Sequence, residues 1–223
     1  MRLGCLPLLA ALVLILILPW LFIGVLEGAL VKLQIGPRTA AGIVFGILLG
    51  SLINVPFKRV ERREPVPVDP WAAFGLGGRW GSRPARTVTV IAVNVGGCVI
   101  PASLAVYEIV LLLHWGLVTV LGLVGAVLLN VVVCYRLARP VRGVGILMPG
   151  LIPPFVAALG ALLLAPSHAT PVAFVAGTLG PLVGADLLHL RDVERMHSGV
   201  LSIGGAGTFD GILLSGIVAL YLS

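Results

Sequence analysis

The sequence predicts an all-α fold: a polytopic membrane bundle of about seven transmembrane helices, forming a single integral domain over residues 1–223. Three observations carry that expectation. Hydrophobic residues make up 59% of the chain, its mean hydropathy is +1.13, and only 11% of its residues are charged, against about 25% in a typical soluble domain. Apolar runs close to the roughly 20 residues that a helix needs to cross a bilayer recur along the chain. Those runs do not alternate in polarity as the strands of a membrane barrel do.

Spans are expected at about 6–27, 38–57, 87–107, 117–135, 144–165, 171–190 and 200–222. The first is too long for the apolar region of a cleavable signal, and no Ala-x-Ala site follows it. The third is the weakest, since Asn94, Gly96, Gly97 and Pro101 interrupt it and Glu108 and His114 blur its outer end. Of the 15 basic residues, all but Lys32 and Arg38 fall on one side of this arrangement. The positive-inside rule then places the N-terminus in the cytoplasm and the C-terminus outside. The net charge of +6 is thus a topology signal and not a nucleic-acid footprint.

The long connection, residues 58–86, opens with Lys-Arg-Val-Glu-Arg-Arg-Glu, is rich in proline, and carries Trp71, Phe74 and Trp80. It reads as a basic cytoplasmic loop, either resting on anionic membrane lipids through these aromatics or simply solvated. Cys5, Cys98 and Cys134 are isolated from one another, so no zinc site, disulfide framework or cofactor is expected.

Small residues four apart let helices approach closely. Gly42, Gly46 and Gly50 form one such stripe, Gly180 and Gly184 a second, and Gly207 and Gly211 bracket Asp210. The last two stripes predict a tight hairpin between spans six and seven. Asn54, Asn94 and Asn130 are candidates for hydrogen bonds between helices.

Asp210 is the one charged residue between Val200 and Leu222. A carboxylate at the centre of a membrane helix costs roughly 2.5–3.5 kcal/mol on insertion scales, so something must offset it. Asp186 on the preceding span is the natural partner. If the chain turns at Ser198, with Gly199 as the helix stop, each aspartate stands 12 residues from the turn and their depths match. Two carboxylates within about 3 Å share a proton, and such a pair activates water with one member while the other acts as an acid. If Gly204–Gly207 are unwound, the match is lost and that backbone must line a cavity. His189 lies one turn beyond Asp186 on the same face, placed for hydrogen bonding, proton relay or, with Asp186, ligation. Gly205, Gly207, Thr208 and Gly211 complete the candidate site around Asp210. No metal is assigned to it.

The segments Gly-Pro-Leu-Val-Gly-Ala-Asp-Leu-Leu-His-Leu-Arg-Asp and Ser-Ile-Gly-Gly-Ala-Gly-Thr-Phe-Asp-Gly, with Met-Pro-Gly-Leu-Ile-Pro-Pro upstream, resemble the C-terminal signature of an uncharacterised family of bacterial and archaeal multi-pass membrane proteins. The resemblance implies a prokaryotic inner-membrane protein and supplies no activity. A second likeness, architectural only, is to the intramembrane aspartyl proteases of the presenilin and signal-peptide-peptidase type, which carry catalytic aspartates on their sixth and seventh spans. It implies catalytic roles for Asp186 and Asp210. The sequence departs from that family's motifs: Ala185 precedes Asp186 where the family has Tyr, and Thr208 and Phe209 separate Gly207 from Asp210.

Two functional readings therefore stand side by side. One is a protease-like enzyme acting on a transmembrane peptide. The other is an ion- or proton-coupled permease for a small solute, since acids within the membrane mark ion pathways and broken helices mark substrate sites. A non-enzymatic scaffold or sensor is the third.

Overall fold

A computed structural model describes residues 6–67, 82–141, 145–192 and 199–223. The chain is mostly helical, with a small sheet at one end of the bundle. Helix α1 (Leu6–Lys32) runs unbroken through apolar sequence and ends where Gln34 takes a left-handed φ of 62°. Pro37 then opens α2 (Pro37–Gly50), a position where the missing N–H of proline costs nothing. Three further helices follow: α3 (Ile100–Leu112), α4 (Leu117–Leu137) and α5 (Ile152–Leu164). The bundle closes with α6 (Ala169–Leu179) and α7 (Gly211–Leu222).

Among the described residues five strands accompany them. Strand β1 (Asn54–Pro67) pairs antiparallel with β2 (Ser82–Asn94), and β2 pairs parallel with β5 (Gly199–Ile203). The sheet order is β1-β2-β5. A two-stranded hairpin of β3 (Arg139–Val141) and β4 (Gly145–Leu147) joins α4 to α5.

Four expected spans are therefore shortened. Residues 54–57, 87–94, 145–147 and 200–203 are strand where helix was expected, and residues 58–67 and 82–86 are strand where a loop was expected. The sequence Thr-Val-Thr-Val-Ile-Ala-Val at 87–93 is almost wholly β-branched, a composition that fits a pleated surface as well as an apolar helix. Pairing decides for the strand: Thr89 to Val93 lie in register with Gly199 to Ile203, 110 positions away in the chain. Trp71, Phe74 and Trp80, and the turn around Ser198, lie outside the described residues.

Among the described residues three helical elements, Val95–Trp115, Leu117–Leu137 and Pro166–Asp192, are long and apolar enough to cross a membrane. Helices α2, α5 and α7 have 14, 13 and 12 residues, about 18–21 Å each, short of a hydrocarbon core of about 30 Å. Val118, Leu121, Leu128, Leu159 and Leu163 turn outward, as a lipid-facing surface requires. Inside, Phe174, Val172, Val175, Leu213 and Leu220 of α6 and α7 form one core with Leu26 of α1, Ile47 of α2 and Leu112 of α3.

Glycine does set the helix spacing, and the α6–α7 seam uses positions other than those expected. The α6–α7 seam is made by Gly177, where an added Cβ would stand 2.9 Å from Gly216 Cα and 2.7 Å from Ser215 O, and by Gly216, which packs on Thr178 and Phe174. Gly180 and Gly184 instead face α4, against Asn130, Val131 and Cys134. Their register was shifted by the break at Pro181, which has no N–H to continue the helix, so Gly180–Leu187 adopts wider π-helical turns. In α2, Gly50 packs on Gly96 and Gly46 on Ile100, while Gly42 faces open space.

Candidate functional site

The site forms where the sheet meets the helices. Strand β1 leaves the end of α2, β2 runs through a π-helical turn (Val95–Val99) into α3, and β5 runs through Gly204–Phe209 into α7. Three backbones must pass close together at this node. Gly97 permits it, since a Cβ there would lie 2.7 Å from the carbonyl of Gly207. Gly207 itself has a φ of +63°, and a side chain on it would strike Ser51.

Asn94, fully buried, ties the node together. Its carbonyl accepts from the N–H of Gly97 at 2.8 Å, and its amide donates to the carbonyl of Ser51 at 2.8 Å and to Asn54 Oδ1 at 3.2 Å. Ser202 donates to the same Asn54 oxygen at 2.5 Å. Asn54 and Asn94 thus clamp the sheet to α2 and α3. Asn130 bonds helix to helix as expected, donating to Ala176 O at 2.8 Å across the α4–α6 contact.

Asp210 is the N-cap of α7. Its Oδ1 accepts from the N–H of Ile212 at 3.0 Å, and its Oδ2 accepts from the N–H of Ala206 at 3.3 Å. One carboxylate thereby closes the glycine-rich turn and satisfies an otherwise unpaired donor in the first turn of the helix. The positive end of the helix dipole favours negative charge at this position. The cost of an acid in this apolar segment is offset by backbone amides.

Asp186 has a different setting. It is half-buried in the π-helical turns Gly180–Leu187, and among the described residues its carboxylate makes no hydrogen bond or ion pair. Leu182 of the same π-helical segment packs with Cys98, Ile203 and Ile212, so this segment adjoins the start of α7. The fold thus packs the segment carrying Asp186 against the start of the helix that Asp210 caps, although β5 and the unwound Gly204–Gly207 stand where a straight helical hairpin was expected.

His189 is buried, and its Nδ1 lies 3.1 Å from Ala185 O and 3.2 Å from Gly184 O. Carbonyls only accept, so Nδ1 carries the hydrogen and donates. The ring packs on Tyr135, centroids 4.8 Å apart. Of the other candidates, Thr208 and Gly207 are buried in the node, while Gly205 and Gly211 are exposed. Among the described residues no cluster of three or more His, Cys, Asp or Glu side chains could hold a metal ion. Sequence reasoning missed Cys98, Ser51 and Ser202 as parts of this node. The signal available was the run Asn-Val-Gly-Gly at 94–97, read there as a helix breaker.

A family model described as a protein of unknown function, DUF1614, matches residues 48–222. The chain belongs to this family. The match takes in the whole sheet and every residue of the node, so the candidate site lies within the DUF1614 region. No curated protein and no solved structure matches the chain.

Proposed function

We propose that this DUF1614 protein is a proton-coupled permease of a prokaryotic inner membrane, with Asp186 as the proton-carrying acid and Asp210 as a fixed anion beside it. The observation that carries the reading is the contrast between the two acids. Asp210 has both oxygens engaged by backbone amides, whereas Asp186 has no bonding partner among the described residues. An acid that has no committed partner can exchange its proton without breaking structure, and acids inside membrane segments mark ion and proton pathways. The short helices α2 and α7, which end and begin at the node, agree with broken helices that meet at a transport site. In this reading the basic residues of the β1–β2 arm face the cytoplasm with the N-terminus, the C-terminus lies outside, and the partners are membrane lipids and a small solute or ion.

The test is flux in proteoliposomes loaded with a pH-sensitive dye. An imposed gradient should drive proton movement in the unmutated protein, and Asp186→Asn should abolish it. Flux unaltered by that substitution, or no flux under any gradient, refutes the assignment.

The packing of the Asp186 segment against the start of α7, which Asp210 caps, favours a second reading, an intramembrane aspartyl protease acting on a transmembrane peptide. It requires cleavage of a model transmembrane substrate that is lost in both Asp186→Asn and Asp210→Asn. Cleavage surviving Asp210→Asn removes it.

A further inference from the structure

At the other end of the bundle the helix ends surround a second feature. A cleft of about 920 Å³ lies between the ends of α1 (Lys32, Gln34), α3 (Glu108, Trp115) and α5, and the start of α6 (His168, Thr170). That volume falls within the 300–1,000 Å³ usual for small-molecule sites. Glu108, near the outer end of the third expected span, is only 3% exposed, and its Oε1 has no hydrogen-bond partner. His168 contributes a second buried atom without a partner, Nδ1, and its ring packs on Trp115 with centroids 4.6 Å apart. Buried polar atoms are nearly always paired, so two orphans lining one cleft point to a missing partner.

We propose that this cleft binds a compact primary ammonium, supplied by a free amine or by the headgroup of a lipid. Glu108 Oε1 accepts a hydrogen bond from the ammonium, and Trp115 offers an aromatic face at the mouth of the cleft. His168 Nδ1 is a second acceptor in its Nε2-protonated tautomer. The positive groups nearby are disposed to leave the ammonium its place. Lys32 has its Nζ 4.7 Å from the centroid of the Tyr221 ring, and His114 Nδ1 is bound to Val110 O at 2.9 Å. Where the ligand also carries an acidic group, Lys32 and the uncapped first turn of α6 lie on the rim to receive it. The assignment does not depend on proton coupling at Asp186, because the cleft and the node share no residue.

The experiment uses the full chain in nanodiscs of phosphatidylcholine and phosphatidylglycerol, which hold no primary amine. Ethanolamine is titrated while tryptophan fluorescence is followed, with Trp115→Phe identifying the responding residue. A second set of nanodiscs carries increasing phosphatidylethanolamine. Saturable response to ethanolamine supports a free amine, and response to the lipid alone supports a headgroup. Glu108→Gln should weaken the response about tenfold or more, since it removes the charge from the acceptor. Choline has no N–H to donate and should bind more weakly than ethanolamine. That comparison needs only the unmutated chain, so it stands even if Glu108→Gln does not accumulate. The proposal is overturned by equal binding of choline and ethanolamine, by undiminished binding to Glu108→Gln, or by the absence of a saturable response to either source.

Discussion

Asp210 offers the sharpest test, because its two bonds are separable by substitution. Asp210→Ala removes the cap to Ile212 N, a loss of about 1 kcal/mol. It also removes the bond to Ala206 N, long at 3.3 Å and worth about 1 kcal/mol net. The total of about 2 kcal/mol lowers the ratio of folded to unfolded protein roughly thirtyfold. Asp210→Asn is predicted to behave differently. Asparagine caps helices as well as aspartate does, so the bond to Ile212 survives. Its amide NH₂ faces the N–H of Ala206 where an acceptor is needed, and about 1 kcal/mol is lost. The expected order of stability is wild type, then Asn, then Ala, measured by unfolding in mixed micelles of increasing SDS fraction and followed by far-UV circular dichroism. An Asp210→Ala variant within about 0.5 kcal/mol of wild type, the range of an ordinary surface substitution, would show that Asp210 caps nothing. The same pair of variants bears on function. If Asp210 is a fixed structural anion, Asp210→Ala loses flux in step with stability, whereas a proteolytic dyad would be silenced equally by both substitutions.

Glycines give a paired prediction. Gly177→Ala places a Cβ against the backbone of α7 and should destabilise by about 1–3 kcal/mol through overpacking, whereas Gly42→Ala meets nothing within 4 Å and should stabilise by up to about 1 kcal/mol through helix propensity. Thermal unfolding of the two variants in the same detergent checks the sign of each, and equal effects would refute the assigned seam. Asn130→Ala removes the bond to Ala176 O from a fully buried site and leaves that carbonyl with one acceptor site empty, for an expected loss of about 1–2 kcal/mol. An Asn130→Ala protein as stable as wild type would mean that the α4–α6 contact does not rely on it.

The boundaries of the helices show how far local sequence reached. Leu117–Leu137 was legible almost to the residue because it is apolar throughout and bounded by Gly116 and Arg136. The segment at 87–94 was not, since an unbroken run of β-branched residues is compatible with a membrane helix and with a buried strand alike. The aspartates show the same division. The packing of the two segments that carry them followed from their adjacency in the chain, but the reason Asp210 is tolerated did not. A proton shared with Asp186 was the expectation, and capping of α7 is the arrangement found. Glu108 looked like an interfacial residue near His114, and its burial depends on α1, α5 and α6 closing over it.

By itself the sequence determined that this chain is built largely of apolar helices of the kind that cross membranes. Hydropathy and charge are properties of individual residues and survive without coordinates. The tertiary structure alone decided that β5 pairs with β2, that Gly177 and Gly216 form the α6–α7 seam, and that Asp186 lacks the backbone partners that hold Asp210. Each of these depends on contacts between residues distant in the chain, and those contacts exist only once the backbones have closed around them.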